Sequence, residues 1–339
     1  MARYRAKKKA EKLIEGDYAA QYNKLWNYCR EVKRANLVSN VFMTVTEDGE
    51  EQDRFERLYM CLLACKKGFL AGYRPISGLD VEVENKLTSK WFVTELVTDL
   101  DIKDEDKWTF MTDKQKGLIQ ALHKLLPVVE HRMRVQHIYN NFKKQHSGLA
   151  LNDRIWSLAR ASYKNLFVAL MMALKEFNEG AFKWLVDNTT PQYWVRAYFC
   201  TSPKCDILLN NLCESFNSSI LEARDRPILG MLETIRLYLM ARMETKREWM
   251  RKSSGSVCPK ILKKLEKVKN AASRCIATYS GDWFYEMRFM YGDRYSVNLA
   301  SMKCSCRRWE LNSIPCSHAM SASALTKEPP KSFVHEFYS

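Results

Sequence analysis

Four residues near the C-terminal end constrain this chain more than any others: Cys304, Cys306, Cys316 and His318. They form Cys304-Ser-Cys306, then nine residues, then Cys316-Ser-His318. Zinc takes four soft or borderline donors in a tetrahedron, and this segment offers three thiolates and an imidazole within fifteen residues. The flanks suit the task. Tyr295 to Leu299 alternates like a short strand leading into the first pair, and His318 to Leu325 reads as a helix carrying the second pair on its first turn. Pro315 stands where a strand-to-helix turn would begin. The competing reading is a set of reduced core cysteines beside a surface histidine. The density of four ligand types in so short a segment favours the metal. Four protein ligands leave no open position for water, so the expected zinc is structural.

With 339 residues the chain has room for about two or three domains. Hydrophobic residues make up 46% and aromatics 12%, which suits a folded, soluble protein. The best apolar run, Leu166 to Leu174, is too short to span a bilayer, so no membrane partner is expected. Met1 to Lys9 is basic but lacks a signal-peptide apolar core, which places the protein inside the cell. Eleven cysteines, an odd number in no regular framework, fit a reducing compartment. A formal charge of +15 favours a polyanionic partner, nucleic acid before the other candidates, because neutralised phosphates release counterions.

Periodicity predicts a mostly helical α+β chain. Residues 1–36 read as an amphipathic helix with Leu13, Ala20, Tyr22, Leu25, Trp26 and Cys29 in one stripe. Val38 to Val45 reads as a strand, Phe55 to Ala71 as a helix, and Pro75 to Asp80 as extended. Then come a strand at Val81 to Asn85, a helix from Ser89 to Leu100, a strand at Trp108 to Thr112, a helix to Leu126, a strand at His131 to Val135 and a helix to Gln145. That alternation implies a partly parallel α/β sheet. Residues 151–200 are helical and aromatic-rich, with Trp156, Phe167, Phe177, Phe182, Trp184, Trp194 and Phe199 read as core. Helices at Leu208 to Arg224 and Ile228 to Trp249 follow, then a basic stretch from Lys246 to Arg274 and an antiparallel pair, Trp283 to Phe289 with Tyr295 to Leu299. The basic stretch admits two readings, a contact for DNA phosphates or a solvated linker.

Asp113 ends a strand of an α/β alternation, where such folds place catalytic groups; taken without its surroundings, it reads first as a cap for the next helix. Its surroundings, Trp108-Thr-Phe-Met-Thr-Asp-Lys-Gln-Lys-Gly-Leu118, Glu130-His-Arg132 and His137 to Phe142, resemble the central block of Mutator-like (MuDR) transposases. The resemblance continues through Trp194 to Phe199, Lys204 to Asn211, Glu214-Ser-Phe-Asn217 and Glu222 to Leu229. It ends in the cysteine–histidine cluster, which looks like the SWIM zinc finger of that family. The resemblance implies an RNase H-like core with a DDE triad: Asp80, Asp113 and Glu214 would hold two Mg²⁺ or Mn²⁺ ions for in-line displacement on a DNA backbone.

Departures from the family pattern shape the functional expectation. Asp80 runs straight into Val81-Glu-Val-Glu-Asn85, so the hairpin and strands that would aim the first acid are expected to be missing. Arg134 stands where the family carries a cysteine paired with His137. The chain is thus expected to be internally deleted, truncated at both ends and devoid of transposase activity. Its expected parts are a basic helical region (1–72), a remnant RNase H-like α/β core (73–150), an all-helical insertion (151–207), helices completing the core (208–250), a basic linker (251–282), a ββα-type SWIM finger (283–325) and a tail (326–339). The expected function is zinc binding through the finger and DNA binding, with protein partners for the finger and a nuclear location. Two other functions remain open, an active DDE nuclease or transposase and a host-recruited regulatory factor.

Overall fold

The computed structural model describes residues 18–48, 52–72, 74–79, 85–113, 116–209, 211–252, 255–289, 292–326 and 328–338. In chain order the helices and strands are α1 (Tyr18–Ala35), β1 (Asn40–Asp48), β2 (Gln52–Cys61), α2 (Leu63–Gly72), β3 (Ile76–Leu79), α3 (Lys86–Leu100), β4 (Thr109–Thr112), α4 (Lys116–Leu125), β5 (Glu130–Met133) and α5 (Val135–Phe142). They continue as α6 (Leu149–Arg160), α7 (Lys164–Phe177), α8 (Glu179–Asn188), α9 (Asn211–Ser219), α10 (Leu221–Arg224), α11 (Ile228–Arg251) and α12 (Pro259–Ala272). The last elements are β6 (Cys275–Gly281), β7 (Phe284–Phe289), β8 (Arg294–Asn298), β9 (Lys303–Cys304), α13 (Arg308–Asn312) and α14 (Ser317–Ser323). The result is a mostly helical α+β protein with small sheets. Among the described residues, no helix is long and apolar enough to cross a membrane. The chain divides into two compact units, residues 1–73, 91–102 and 211–252 in the first, and 74–90, 103–210 and 253–339 in the second.

In the first unit, Leu25, Cys29 and Val32 of α1 pack with Val41 and with Leu232 of α11. The buried face of α1 is offset from the expected stripe. Gln21 is buried, its side-chain oxygen accepting the Leu229 amide hydrogen at 2.9 Å, whereas Trp26 stays 58% exposed. The helix expected over Phe55 to Ala71 is half strand. β2 pairs antiparallel with β1 from Asn40↔Cys61 to Asp48↔Gln52, and only Leu63–Gly72 is helical. Phe55, Leu58 and Leu62 carry helical spacing, but the neighbouring β-branched strand supplies hydrogen bonds that local propensity cannot match. The hairpin is tied down at Asp99 of α3, which accepts from the Tyr59 hydroxyl at 2.9 Å and the Lys66 ammonium at 3.0 Å. Burial pushes the Asp99 carboxyl up, yet these donors, with Cys61 and Asn40, hold it below its ordinary value.

The second unit is built on a three-stranded parallel sheet in the order β3-β4-β5. All four residues of the central strand β4 are buried, as expected for a strand covered on both faces. Helices α5 to α8 form the main core. Leu151, Ile155 and Leu158 recur along one face of α6 and meet Phe142, Phe167, Leu174, Leu185, Trp194 and Phe199. Asn178 caps α8, its side chain accepting from the Ala181 amide at 2.8 Å. Of the aromatics read as core, Trp194 and Phe199 are each 1% exposed, whereas Phe177 is half exposed under the Arg154 guanidinium, 4.2 Å from its ring centre.

Residues of the presumed basic linker carry regular structure. Pro259–Ala272 is α12, opened by proline at its first turn, and it buries Ile261, Leu265 and Ala272 against Ile314 and Met320. Next, β6-β7-β8-β9 form an antiparallel sheet, and α13 and α14 follow. Tyr285, Met287, Val297, Trp309 and Ala319 form the interior of this region.

Candidate metal centre

The ligands come from two local devices. Cys304 lies on β9, paired with Val297 of β8, and Cys306 follows two residues later. Cys306 lies in a tight turn closed by the Arg307 amide, which donates to the Cys304 carbonyl at 2.7 Å, and this turn brings both thiols to one point. The turn before β9 is set by Asn298, whose side chain accepts from the Ser301 amide at 2.8 Å, and by Met302 in the left-handed region at φ 55°. The second device is the start of α14. Cys316 is its N-cap, with φ −77° and ψ 174°, and its sulfur accepts from the Ala319 amide at 3.4 Å. His318 therefore sits in the first turn, facing the same point.

The four ligand atoms all lie within 4.8 Å of one another, and all four residues are buried. His318 Nδ1 is 3.5 Å from the Cys304 sulfur and 3.9 Å from the Cys316 sulfur. A tetrahedron with Zn–S near 2.3 Å and Zn–N near 2.0 Å has S···N edges of about 3.5 Å and S···S edges of about 3.8 Å. The cluster fits zinc with its donors in place. His318 is held by stacking on Tyr295, with ring centres 4.0 Å apart and an 18° interplanar angle. The three sulfurs are packed so closely that their mutual interactions hold Cys306 below the ordinary thiol range and push Cys304 above it. A divalent cation bound among these sulfurs would favour their thiolate forms. With three thiolates and one imidazole the coordination is closed, a structural site.

The loop between the two ligand pairs is anchored far away in sequence. Arg307, at φ 57°, donates through Nη2 to the Phe199 carbonyl at 2.9 Å and through Nη1 to the Ser162 carbonyl at 3.3 Å and to the Ala197 carbonyl. Ser162 Oγ donates to the Cys306 carbonyl at 2.7 Å, and Leu311 of α13 enters the core formed by α5 to α8. Sequence reasoning missed this anchor, because its acceptors are backbone carbonyls more than a hundred residues away that leave no residue-type pattern.

Residues 295–324 match the family model of the SWIM zinc finger. A search of curated proteins finds no match for the chain. Cys304, Cys306, Cys316 and His318 are therefore the ligands of a SWIM finger, positioned to bind a structural zinc ion.

The expected carboxylate triad fares differently. Asp80 lies outside the described residues. Asp113 follows β4 in the second unit, its Oδ2 accepting from Arg134 Nη2 at 2.7 Å. Glu214 belongs to α9 in the first unit, where it is exposed. Its neighbour Asn217 accepts from Arg224 at 3.0 Å, and Asn210 lies outside the described residues. Glu130 and Arg132 hold the fold together. The fully buried Arg132 guanidinium donates to the Cys205 carbonyl and to Glu130 Oε2, each at 2.6 Å, and lies 4.0 Å from the centre of the Phe199 ring. Glu130 Oε1 in turn accepts from the Cys200 amide at 2.8 Å.

Proposed function

We propose that this chain is a Mutator-like transposase derivative that binds DNA in the nucleus, carries its SWIM finger as a structural zinc module, and has lost DDE catalysis. The ion pair between Asp113 and Arg134 carries the loss of catalysis. A carboxylate that ligates catalytic divalent cations must offer its oxygens to them. Here a permanently charged guanidinium at 2.7 Å occupies one oxygen and repels a cation at the other. Arg134 is also the position where the resembling family carries cysteine. The remnant RNase H-like reading draws support from the three parallel strands that place Asp113 at the end of the central one. DNA binding is supported by the formal charge of +15, and the finger offers a folded surface for protein partners as well.

The test uses the zinc-loaded protein. Plasmid nicking with Mg²⁺ or Mn²⁺ should stay at background, while duplex DNA should bind with an affinity that falls steeply as salt rises. Metal-dependent nicking abolished by Asp113→Asn would restore the active-nuclease reading. Absence of duplex binding at low salt would remove the DNA reading, and strong preference for one sequence would favour a recruited regulatory factor.

A further inference from the structure

Beside the zinc site, within the second unit, lies a cleft of about 510 Å³ whose cations come from four separate helical segments. Arg160 closes α6, Arg196 comes from the single turn Arg196–Tyr198, Lys264 and Lys267 project from α12, and Arg308 opens α13. Asp206 is the single acid lining it, so five cations face one carboxylate, a net +4. Surface lysines on one helix usually mean only a solvated face. This group differs because it converges from four segments into a concavity floored by Leu311 and by the partly buried Arg196.

The charges do not cancel internally. Asp206 is committed to the floor, 3.2 Å from Arg196 and accepting from Asn312 at 3.3 Å. Burial pushes its carboxyl up, but Arg196 and Lys264 hold it below the ordinary range. Among the described residues, Arg196 alone of the five cations has an ion-pair partner. Arg160 lies over Trp156, and Lys264, Lys267 and Arg308 rim the opening. The excess positive potential registers on the side chains themselves. Lys264 is pushed down by desolvation, with Arg196, Arg74 and Lys260 adding to it against Asp206. Arg196 is pushed down by burial, with Arg160 and Arg308 acting in the same direction. Such a concavity gains most from a ligand with several anionic oxygens that each accept a charge-assisted hydrogen bond.

We propose that this cleft is a binding site for phosphate oxyanions, and that it seats backbone phosphates of duplex DNA, a second step that rests on the DNA-binding reading above. The test compares the zinc-loaded protein with two variants of equal charge loss. One is Lys264→Gln/Lys267→Gln/Arg308→Gln at the rim; the other is Lys124→Gln/Lys144→Gln/Lys175→Gln at exposed positions elsewhere. All six side chains are exposed, and zinc content with a thermal melt verifies the fold of each variant. Inorganic phosphate, followed by titration calorimetry, should bind the wild type and weaken at least fivefold in the rim variant, with less than a twofold change in the other. For a duplex oligonucleotide, the slope of log K against log salt should fall by about 2–3 in the rim variant and by less than 1 in the other. The site is overturned if phosphate fails to bind the wild type or binds the rim variant equally well. It is also overturned if both variants lose DNA affinity alike, which leaves the DNA reading standing. Phosphate binding that depends on the rim, with no duplex binding at any salt, would establish the oxyanion site and remove the DNA reading.

Discussion

Arg307 is the residue whose loss should be most informative. It combines a left-handed backbone at φ 57° with a guanidinium that donates to three main-chain carbonyls of the helical core. Truncation to alanine removes charge-assisted bonds worth roughly 1.5–3 kcal/mol each in isolation. Two of the three share one nitrogen and the side chain is half-buried, so the loss should total about 3 kcal/mol. Alanine keeps the strained backbone, whereas glycine releases it, a difference of about 1–2 kcal/mol in favour of glycine. The expected order of stability is therefore wild type, then Arg307→Gly, then Arg307→Ala. For a unit of about 200 residues, 3 kcal/mol lowers Tm by roughly 6–12 °C. Zinc-saturated thermal melts should show this order, with hydrogen exchange rising at residues 197–199 and 306–312. An alanine variant melting within about 1 °C of wild type would refute the anchor. Glycine proving worse than alanine would refute the strain argument.

Three other outcomes follow from buried groups. Zinc removal by a chelator should expose residues 295–324 to protease and abolish the cooperative melt of the finger, since structural zinc contributes on the order of 10 kcal/mol; Cys304→Ala should do the same, and a variant retaining one zinc per chain would contradict the ligand set. His131, 5% exposed and bonded to Thr112 Oγ1 at 2.7 Å, has its pKa pushed down to about 4 by burial and then by His123. The unfolded chain binds this proton first, so the stability it contributes is whole above about pH 6.5 and drains away as pH falls to about 4, at most about 3 kcal/mol. His131→Gln should flatten the pH dependence of urea midpoints in that window, and an unchanged slope would exclude His131 as its source. Arg132→Met should cost about 3–5 kcal/mol by leaving the half-buried Glu130 without its cation beside unpaired carbonyls, whereas the double change with Glu130→Gln should recover part of it; additive losses would argue against the network.

What could be read in advance follows from where each signal resides. The zinc ligands were legible because a metal demands residue types, and types are written in sequence. The helical character of residues 151–188 is legible because that stretch is apolar and aromatic-rich and, in α6, Leu151, Ile155 and Leu158 repeat at the helical period. The sequence hides β2 because Leu58, Leu62, Cys65 and Phe69 keep helical spacing, while the conformation of residues 52–61 is decided by β1. Arg132 and Arg307 were not found as anchors, since a buried arginine and a solvated one look alike until the carbonyls of Cys205 or Phe199 are known to lie beside them. Asp113 stands out in the sequence only as a candidate by position, and its ion pair with Arg134 depends on two strand ends meeting across a parallel register.

The zinc site and the cleft are built from the same loop, and this sets a thermodynamic condition. Cys306 and Cys316 bracket Arg307, Arg308 and α13, so closing the metal site removes freedom from the segment that supplies the anchor and one wall of the cleft. Cys316 and Ser317 themselves line the cavity. If metal binding orders Arg308 and the α13 backbone, an oxyanion that binds only the ordered form must tighten zinc by the same factor that zinc tightens the oxyanion. On the cleft reading, saturating duplex DNA should raise the apparent zinc affinity measured against a competing chelator, and the effect should vanish in the Lys264→Gln/Lys267→Gln/Arg308→Gln variant. Arg307→Gly should weaken the coupling while leaving the four ligands intact, because the loop would then be closed by metal but no longer docked. Zinc affinity indifferent to DNA in a wild type that binds DNA through the rim would show that the loop is ordered without its metal, and the two sites would be neighbours without linkage.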